Sequence, residues 1–155
     1  MHPQKILIAS DHAGYELKAK LIPFLIEKGF NVVDEGAFEN NPLDDYPDYC
    51  ISVAREISEN PRDLAGIVIG GSGQGEAITA NRLKNVRATV YYGGKPDNLK
   101  IAREHNDANI ISLGARFLSD DEAKEAVMLW LDTPFSEVER HKRRIEKLER
   151  LTARE

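Results

Sequence analysis

The chain of 155 residues has one cysteine, one tryptophan and two methionines. With Cys50 alone, no intrachain disulfide can form, and a metal site built from cysteines is excluded. The apolar run nearest the N-terminus, Ile6 to Ala9, is too short for a signal-peptide core or a membrane span. These shortages favour a reducing compartment, so we expect a cytoplasmic protein.

Basic residues are also in short supply. The 21 Lys and Arg residues are outnumbered by 26 Asp and Glu residues, which gives a net charge of -5. General affinity for nucleic acid or for an anionic membrane would need the opposite balance, so we expect neither partner. The length, with 41% apolar residues and 30% charged residues, predicts a single globular domain over residues 1–155.

Short apolar runs alternate along the chain with segments of helical spacing. This alternation predicts an α/β fold with a five-stranded parallel sheet and right-handed crossovers. The runs have no polar face, as is typical of strands buried on both sides. The predicted strands are Lys5–Ala9, Asn31–Asp34, Ala65–Ile69, Arg87–Tyr91 and Asn109–Leu113.

Two further helices are predicted after the fifth strand, at Asp120–Leu131 and Ser136–Leu151. In the last of these, apolar side chains form a stripe that could pack on its own domain or on a second subunit. Pro23 lies inside the first helical segment, where we expect it to kink the helix.

The glycine-rich run Gly70–Gly75 directly follows the third predicted strand and leads into a helix. Glycines allow close backbone approach to a ligand, and free N–H groups at a helix start favour an anion. Glu76 lies in the first turn of that helix, where it could abstract a proton beside a carbonyl. The alternatives are a plain turn between strand and helix and an acidic residue that stabilises the helix dipole.

Other polar residues lie near strand ends. Asp11 and His12 follow the first strand, although Asp11 could simply cap a helix. His105 closes the fourth helix as a proton donor or as a cation at the helix C-terminus. Arg140 and Arg144, spaced i, i+4, could grip one phosphate or form a solvated helix face with Glu partners.

Several of these motifs occur in order over nearly the whole chain. Together they resemble the type B ribose-5-phosphate isomerases, whose relatives include galactose-6-phosphate and allose-6-phosphate isomerases. The motifs that carry the resemblance are Asp11–Gly14, Asp45–Pro47, Gly71–Glu76, Ala80–Arg82, Arg103–Asn106 and Arg140–Arg144.

The resemblance implies a Rossmann-like three-layer sandwich and a homodimer or tetramer in which the C-terminal helix reaches a partner subunit and completes its active site. It also implies that no metal or cofactor is used. One branch of the family has a cysteine base just before the glycine loop, where this chain has Gly70. The other branch uses a glutamate after the loop, which matches Glu76, and Cys50 is not a replacement.

By the same resemblance, Glu76 is the base and His105 opens the sugar ring. Ser72 helps to shuttle a proton or to polarise the substrate. The remaining implied contacts are Asp11 and Asn106 for the sugar hydroxyls; Gly71, Ser72, Gly73, Gln74 and Gly75 for the enediolate; His12 and Arg116, with Arg140 and Arg144 of a neighbouring subunit, for the phosphate; and Tyr46 and His141 as pocket lining.

The leading functional hypothesis is the interconversion of ribose 5-phosphate and ribulose 5-phosphate, with a six-carbon sugar phosphate as the nearest rival. A nucleotide-binding α/β module is a rival from another class. Against it, the loop has no P-loop lysine, and Glu76 stands where the last glycine of a dinucleotide motif belongs. A third hypothesis is an inactive structural subunit of a hetero-oligomer.

Overall fold

In a computed structural model, which describes residues 2–153, five parallel strands form one sheet in the order β2-β1-β3-β5-β4. This confirms the predicted α/β class. The strands are β1 (Lys5–Ser10), β2 (Val32–Asp34), β3 (Leu64–Gly70), β4 (Ala88–Tyr91) and β5 (Ile110–Gly114). Each lies within one residue of its predicted bounds at either end.

Within the described part of the chain, six α-helices and two short 3-10 turns connect and follow the strands. The turns are η1 (His12–Gly14) and η2 (Ala115–Phe117). The helices are α1 (Tyr15–Glu27), α2 (Tyr46–Glu59), α3 (Gln74–Ala80), α4 (Asp97–Asn106), α5 (Asp120–Asp132) and α6 (Glu139–Thr152).

Apolar side chains from alternate strand positions cover both faces of the sheet. On one face Ile6 and Ile8 pack with α1 and α5, where Trp130 is fully buried. On the other face Leu7 packs with α2, including Val53. Because successive strand residues point to opposite faces, a sheet covered on both sides needs the unbroken apolar runs that the sequence contains.

The first helix contains Pro23 within one continuous element, and the expected kink stays a prediction. Helix α1 continues through Pro23 as a single element. Pro23 is exposed, and so is Ala19, whose carbonyl loses its helical donor there. Water can supply that hydrogen bond, so the helix need not end.

Helix α6 begins three residues later than predicted and packs on α4 of its own chain. Its Glu149 side chain accepts hydrogen bonds from the Asn85 backbone N–H and from Arg87, both just before β4. These contacts place α6 at the edge of the sheet where the strands begin, which we call the amino edge. The opposite edge, where the strands end, is the carboxyl edge. Within residues 2–153, no helix is long and apolar enough to span a membrane.

Candidate active site

The glycine-rich loop joins the end of β3 to the start of α3 at the carboxyl edge. Gly73 has a φ of 79°, in the left-handed region that glycine tolerates. A β-carbon at this position would stand 3.0 Å from the Ser112 carbonyl oxygen. The Ser112 hydroxyl donates a hydrogen bond of 2.6 Å to the Gly73 carbonyl. The loop is therefore fastened to β5 with its backbone in a fixed conformation.

The Glu76 side chain turns back beneath this loop, and the residue is only 3% exposed. A β-carbon at Gly70 would overlap the Glu76 carboxylate, so the absent side chain at position 70 leaves the space that this carboxylate occupies. Burial raises the pKa of Glu76, and the nearby charge of Asp11 adds to that rise. A carboxylate whose only role is to stabilise the helix dipole is normally exposed to solvent. The burial of Glu76 therefore favours a chemical role.

Two large side chains lie against the glycines of the loop. The Tyr46 ring, at the start of α2, fills the place that a β-carbon at Gly75 would need. The Arg116 guanidinium lies 3.0 Å from where a β-carbon at Gly71 would stand. The backbone N–H of Arg116 also donates a hydrogen bond to the Gly71 carbonyl at 3.1 Å. The predicted residues Tyr46 and Arg116 therefore both meet the loop.

Asp11 and His12 lie at the same edge, after β1. The Asp11 carboxylate accepts hydrogen bonds from the N–H groups of Ala13 and Gly14, at 3.0 and 3.3 Å, so the capping role is confirmed. His12 Nδ1 lies 2.6 Å from Asp44 Oδ1, which also accepts the His12 backbone N–H at 3.0 Å.

Sequence reasoning missed Asp44. It lies in an irregular, acidic stretch, where nothing local separates it from the neighbouring Asp45. Ligand atoms of Asp11, His12 and Asp44 lie within 4.8 Å of one another, so the three could hold a cation. All three side chains already take part in hydrogen bonds, which a cation would have to displace.

A second group of predicted residues lies where α4 and α6 meet. The rings of His105 and His141 stack with centroids 4.2 Å apart, and Ser136 Oγ lies 2.8 Å from His141 Nδ1. Burial lowers the pKa of His141, and the nearby His105, Arg140 and Arg144 lower it further. Asn106 and Arg144 line one cavity of about 440 Å³.

The two groups lie at opposite edges of the sheet. Helix α4 ends just before β5 begins, so His105 is at the amino edge, whereas Glu76 follows the end of β3. Strands β3 and β5 pair in parallel from Gly66 with Ile110 to Gly70 with Gly114. Four residue steps separate the two edges by about 13 Å at ~3.3 Å each. The resemblance places Asp11, His105 and Asn106 around one ligand. Within one chain, however, His105 and Asn106 lie too far from Asp11 to contact the same ligand.

Residues 6–148 match the family model described as Ribose/Galactose Isomerase. The chain belongs to this family. Among its relatives, the ribose-5-phosphate isomerase B of Mycobacterium leprae is 40% identical over 146 residues, which cover 94% of this chain and 88% of that protein. The Escherichia coli K12 protein of the same name is 35% identical, with 92% of this chain and 93% of that protein covered.

Solved structures of the family share the fold. Ribose-5-phosphate isomerase B from Mycoplasma genitalium, solved with bound ribulose-5-phosphate, has a TM-score of 0.90 and 38% identity, with 95% of each chain covered. The Clostridium thermocellum protein has a TM-score of 0.87 and 39% identity, with 95% of this chain and 96% of that chain covered. The Rossmann-like sandwich implied by the resemblance is thus confirmed.

Proposed function

We propose that this protein interconverts ribose 5-phosphate and ribulose 5-phosphate. The observation that carries the proposal is the buried Glu76 carboxylate beneath the glycine loop, in a chain whose relatives bear the name of this isomerase. The ribulose-5-phosphate bound to the M. genitalium protein gives the substrate class. Such phosphorylated sugars are charged and do not cross membranes freely, so we place the enzyme in the cytoplasm.

The reaction needs one proton carried from C2 to C1. His105 first donates a proton to the ring oxygen while the anomeric hydroxyl releases its own to water, so the cyclic sugar opens to the aldehyde with no net change in protons. Glu76 then takes the proton from C2, and the electron pair forms an enediolate whose oxygen accepts hydrogen bonds from the N–H groups of Gly71–Gly75, with Ser72 and Gln74 among them. The hydroxyl proton on O2 then passes to O1, a transfer that the Ser72 hydroxyl can relay, and Glu76 returns its proton to C1, so atoms and charge balance without a redox cofactor.

Two chains complete each site in this proposal. His105 and Glu76 lie at opposite edges of one sheet, so a second copy supplies the group at the amino edge. On α6, Leu148 and Leu151 are 47% and 70% exposed, an apolar surface that a second subunit would cover. We therefore assign His105, Asn106, Arg140, His141 and Arg144 of each chain to the site of its partner, in a homodimer or a larger assembly.

The phosphate is held from both sides of this interface. Arg116 and His12 approach it from the chain that carries Glu76, because η1 and η2 contact each other at the carboxyl edge. Arg140 and Arg144 approach it from the partner. Guanidinium groups suit this task because they bind phosphate oxygens in pairs.

The test is turnover of ribose 5-phosphate by the purified chain, with EDTA present throughout. We expect activity that EDTA leaves unchanged, and at least a hundredfold loss of kcat in Glu76→Gln. A Glu76→Gln enzyme with near wild-type kcat would contradict the assignment of Glu76 as the base. Activity lost to EDTA and restored by a divalent cation would instead make the protein a metal enzyme, with Asp11, His12 and Asp44 as the candidate ligands.

A six-carbon sugar phosphate is the second candidate, because the matched family model covers galactose as well as ribose isomerases. The ratio of kcat/KM for ribose 5-phosphate, allose 6-phosphate and galactose 6-phosphate decides between them. A higher value for either six-carbon substrate would replace our assignment.

A further inference from the structure

The loop between β2 and α2 carries one buried carboxylate that the mechanism above does not use. The Asp44 side chain is only 4% exposed, although its neighbours Leu43 and Asp45 are exposed. Charged side chains are rarely buried unless they are paired, because leaving water is costly. The position of Asp44 is therefore maintained by its partner.

Its hydrogen-bond partner is His12, 32 residues earlier in the chain, and Tyr49 is a second neighbour, since burial and then the charge of Asp44 raise the pKa of the Tyr49 hydroxyl. One oxygen of Asp44, Oδ1, receives both the His12 backbone N–H at 3.0 Å and the ring Nδ1 at 2.6 Å. Because a carboxylate oxygen can only accept, Nδ1 must carry the proton. Nε2 is then the ring nitrogen that can meet a ligand, and the side chain is 31% exposed.

The fold holds both ends of this loop in place. At its start, the Lys18 ammonium group, 2% exposed as a residue, donates hydrogen bonds to Asp34 Oδ1 at 2.7 Å and to the Ala37 carbonyl. At its end, α2 begins at Tyr46, whose ring lies on Gly75. Asp44 is therefore held at a fixed place beside η1 and is not a residue of a freely moving loop.

We propose that Asp44 is a positioning residue for the phosphate: it holds the His12 ring with Nδ1–H turned to its carboxylate, so that Nε2 faces the phosphate beside Arg116 and shares one proton with a phosphate oxygen. The inference rests on the proposed function, which makes His12 a phosphate ligand. Asp44 itself touches no reacting atom in this role.

The rival explanation is a purely mechanical one, in which Asp44 only fastens the loop to η1 through the backbone N–H of His12. The two explanations differ in their dependence on the ring. If Asp44 only anchors the loop, its removal would weaken phosphate binding whether or not residue 12 is a histidine. A positioning residue would lose its effect once the imidazole is removed.

The experiment is a double-mutant cycle with Asp44→Ala, His12→Ala and the double variant, and with Asp44→Asn and Asp45→Asn alongside. The measurements are kcat and KM for ribose 5-phosphate and, by calorimetry, the Kd of inorganic phosphate. In Asp44→Ala we expect KM and the phosphate Kd to rise about tenfold while kcat changes less than threefold. Asp44→Asn keeps the accepting oxygen and should recover part of the affinity.

Adding Asp44→Ala to His12→Ala should change KM and the phosphate Kd less than twofold. The matched control Asp45→Asn, whose exposed side chain makes no capping hydrogen bond, should behave as the wild type. Nitrogen-15 spectra of the His12 ring report the tautomer, which would not change if Asp44 only anchored the loop. We expect Nδ1 to be protonated in the wild type, and a mixture of tautomers or rapid exchange in Asp44→Ala.

The inference would be overturned if Asp44→Ala raised KM and the phosphate Kd by the same factor whether residue 12 is histidine or alanine. Wild-type phosphate affinity in Asp44→Ala would overturn it as well. The failure of the proposed function looks different: the wild type would turn over none of the three sugar phosphates. In that case the phosphate Kd and the ring spectra still decide whether Asp44 positions His12.

Discussion

At the scale of the residue, the candidate base depends on a missing side chain. Glu76 occupies the space beneath the loop because Gly70 has no β-carbon to fill it. Gly70→Ala should displace the Glu76 carboxylate. We expect kcat to fall at least a hundredfold, because a displaced carboxylate is no longer held within reach of the substrate proton.

The melting temperature, measured beside kcat, serves as the control for Gly70→Ala. Because the Glu76 side chain can swing away from an added methyl group, we expect the variant to stay folded. Wild-type kcat in a folded Gly70→Ala protein would contradict the position of the base.

We assign the acid limb of the pH profile to the same candidate base. Burial, with a smaller contribution from Asp11, raises the pKa of Glu76 above its ordinary value of 4.5. A raised pKa means that the proton stays bound to a higher pH, and a protonated carboxyl cannot act as base. We therefore expect kcat/KM to fall on acidification with a midpoint above 4.5, while circular dichroism shows a folded protein. A midpoint at or below 4.5 would contradict the burial argument.

At the scale of the element, one buried arginine ties α4 to the segment that follows α5. Arg103 is 4% exposed and donates hydrogen bonds to the carbonyls of Thr133 and Ala108, at 3.1 and 2.7 Å, and to Asp107 at 2.8 Å. Arg103→Ala should lower the free energy of unfolding by about 3 kcal/mol, because these acceptors lose their donor. Denaturant titration measures the change.

Lys100 offers a matched control on the same helix, since its side chain is exposed. Lys100→Ala should change the free energy of unfolding by no more than about 0.5 kcal/mol. If the two variants lost the same free energy of unfolding, the buried hydrogen bonds of Arg103 would contribute nothing beyond what an exposed residue of α4 contributes.

At the scale of the whole molecule, the assignment of the site to two chains predicts complementation. Glu76→Gln and His105→Asn should each be inactive alone. If equal amounts exchange subunits at random, half of the dimers are mixed and each has one complete site, so about a quarter of wild-type activity should return. Activity that stays at the level of the separate variants would mean that both residues act within one chain.

The sequence by itself determined the sheet and the position of the candidate loop on it. Unbroken apolar runs and helical spacing are local signals, so the strands could be placed within a residue at each end. The glycine loop and Glu76 were recognised for the same reason, since strand, turn and helix are contiguous. Even Asp11 as a cap follows from residues two and three positions away.

Only the tertiary structure decided how these residues meet. The pairing of Asp44 with His12 joins positions 32 apart, and the carboxylate of Glu76 under Gly70 depends on packing, so neither leaves a periodic trace in the sequence. The resemblance assigned His105 and Glu76 to one active site without giving their arrangement within one chain. In a parallel sheet, residues before and after the strands lie at opposite edges, and that geometry separates His105 from Glu76 within one chain.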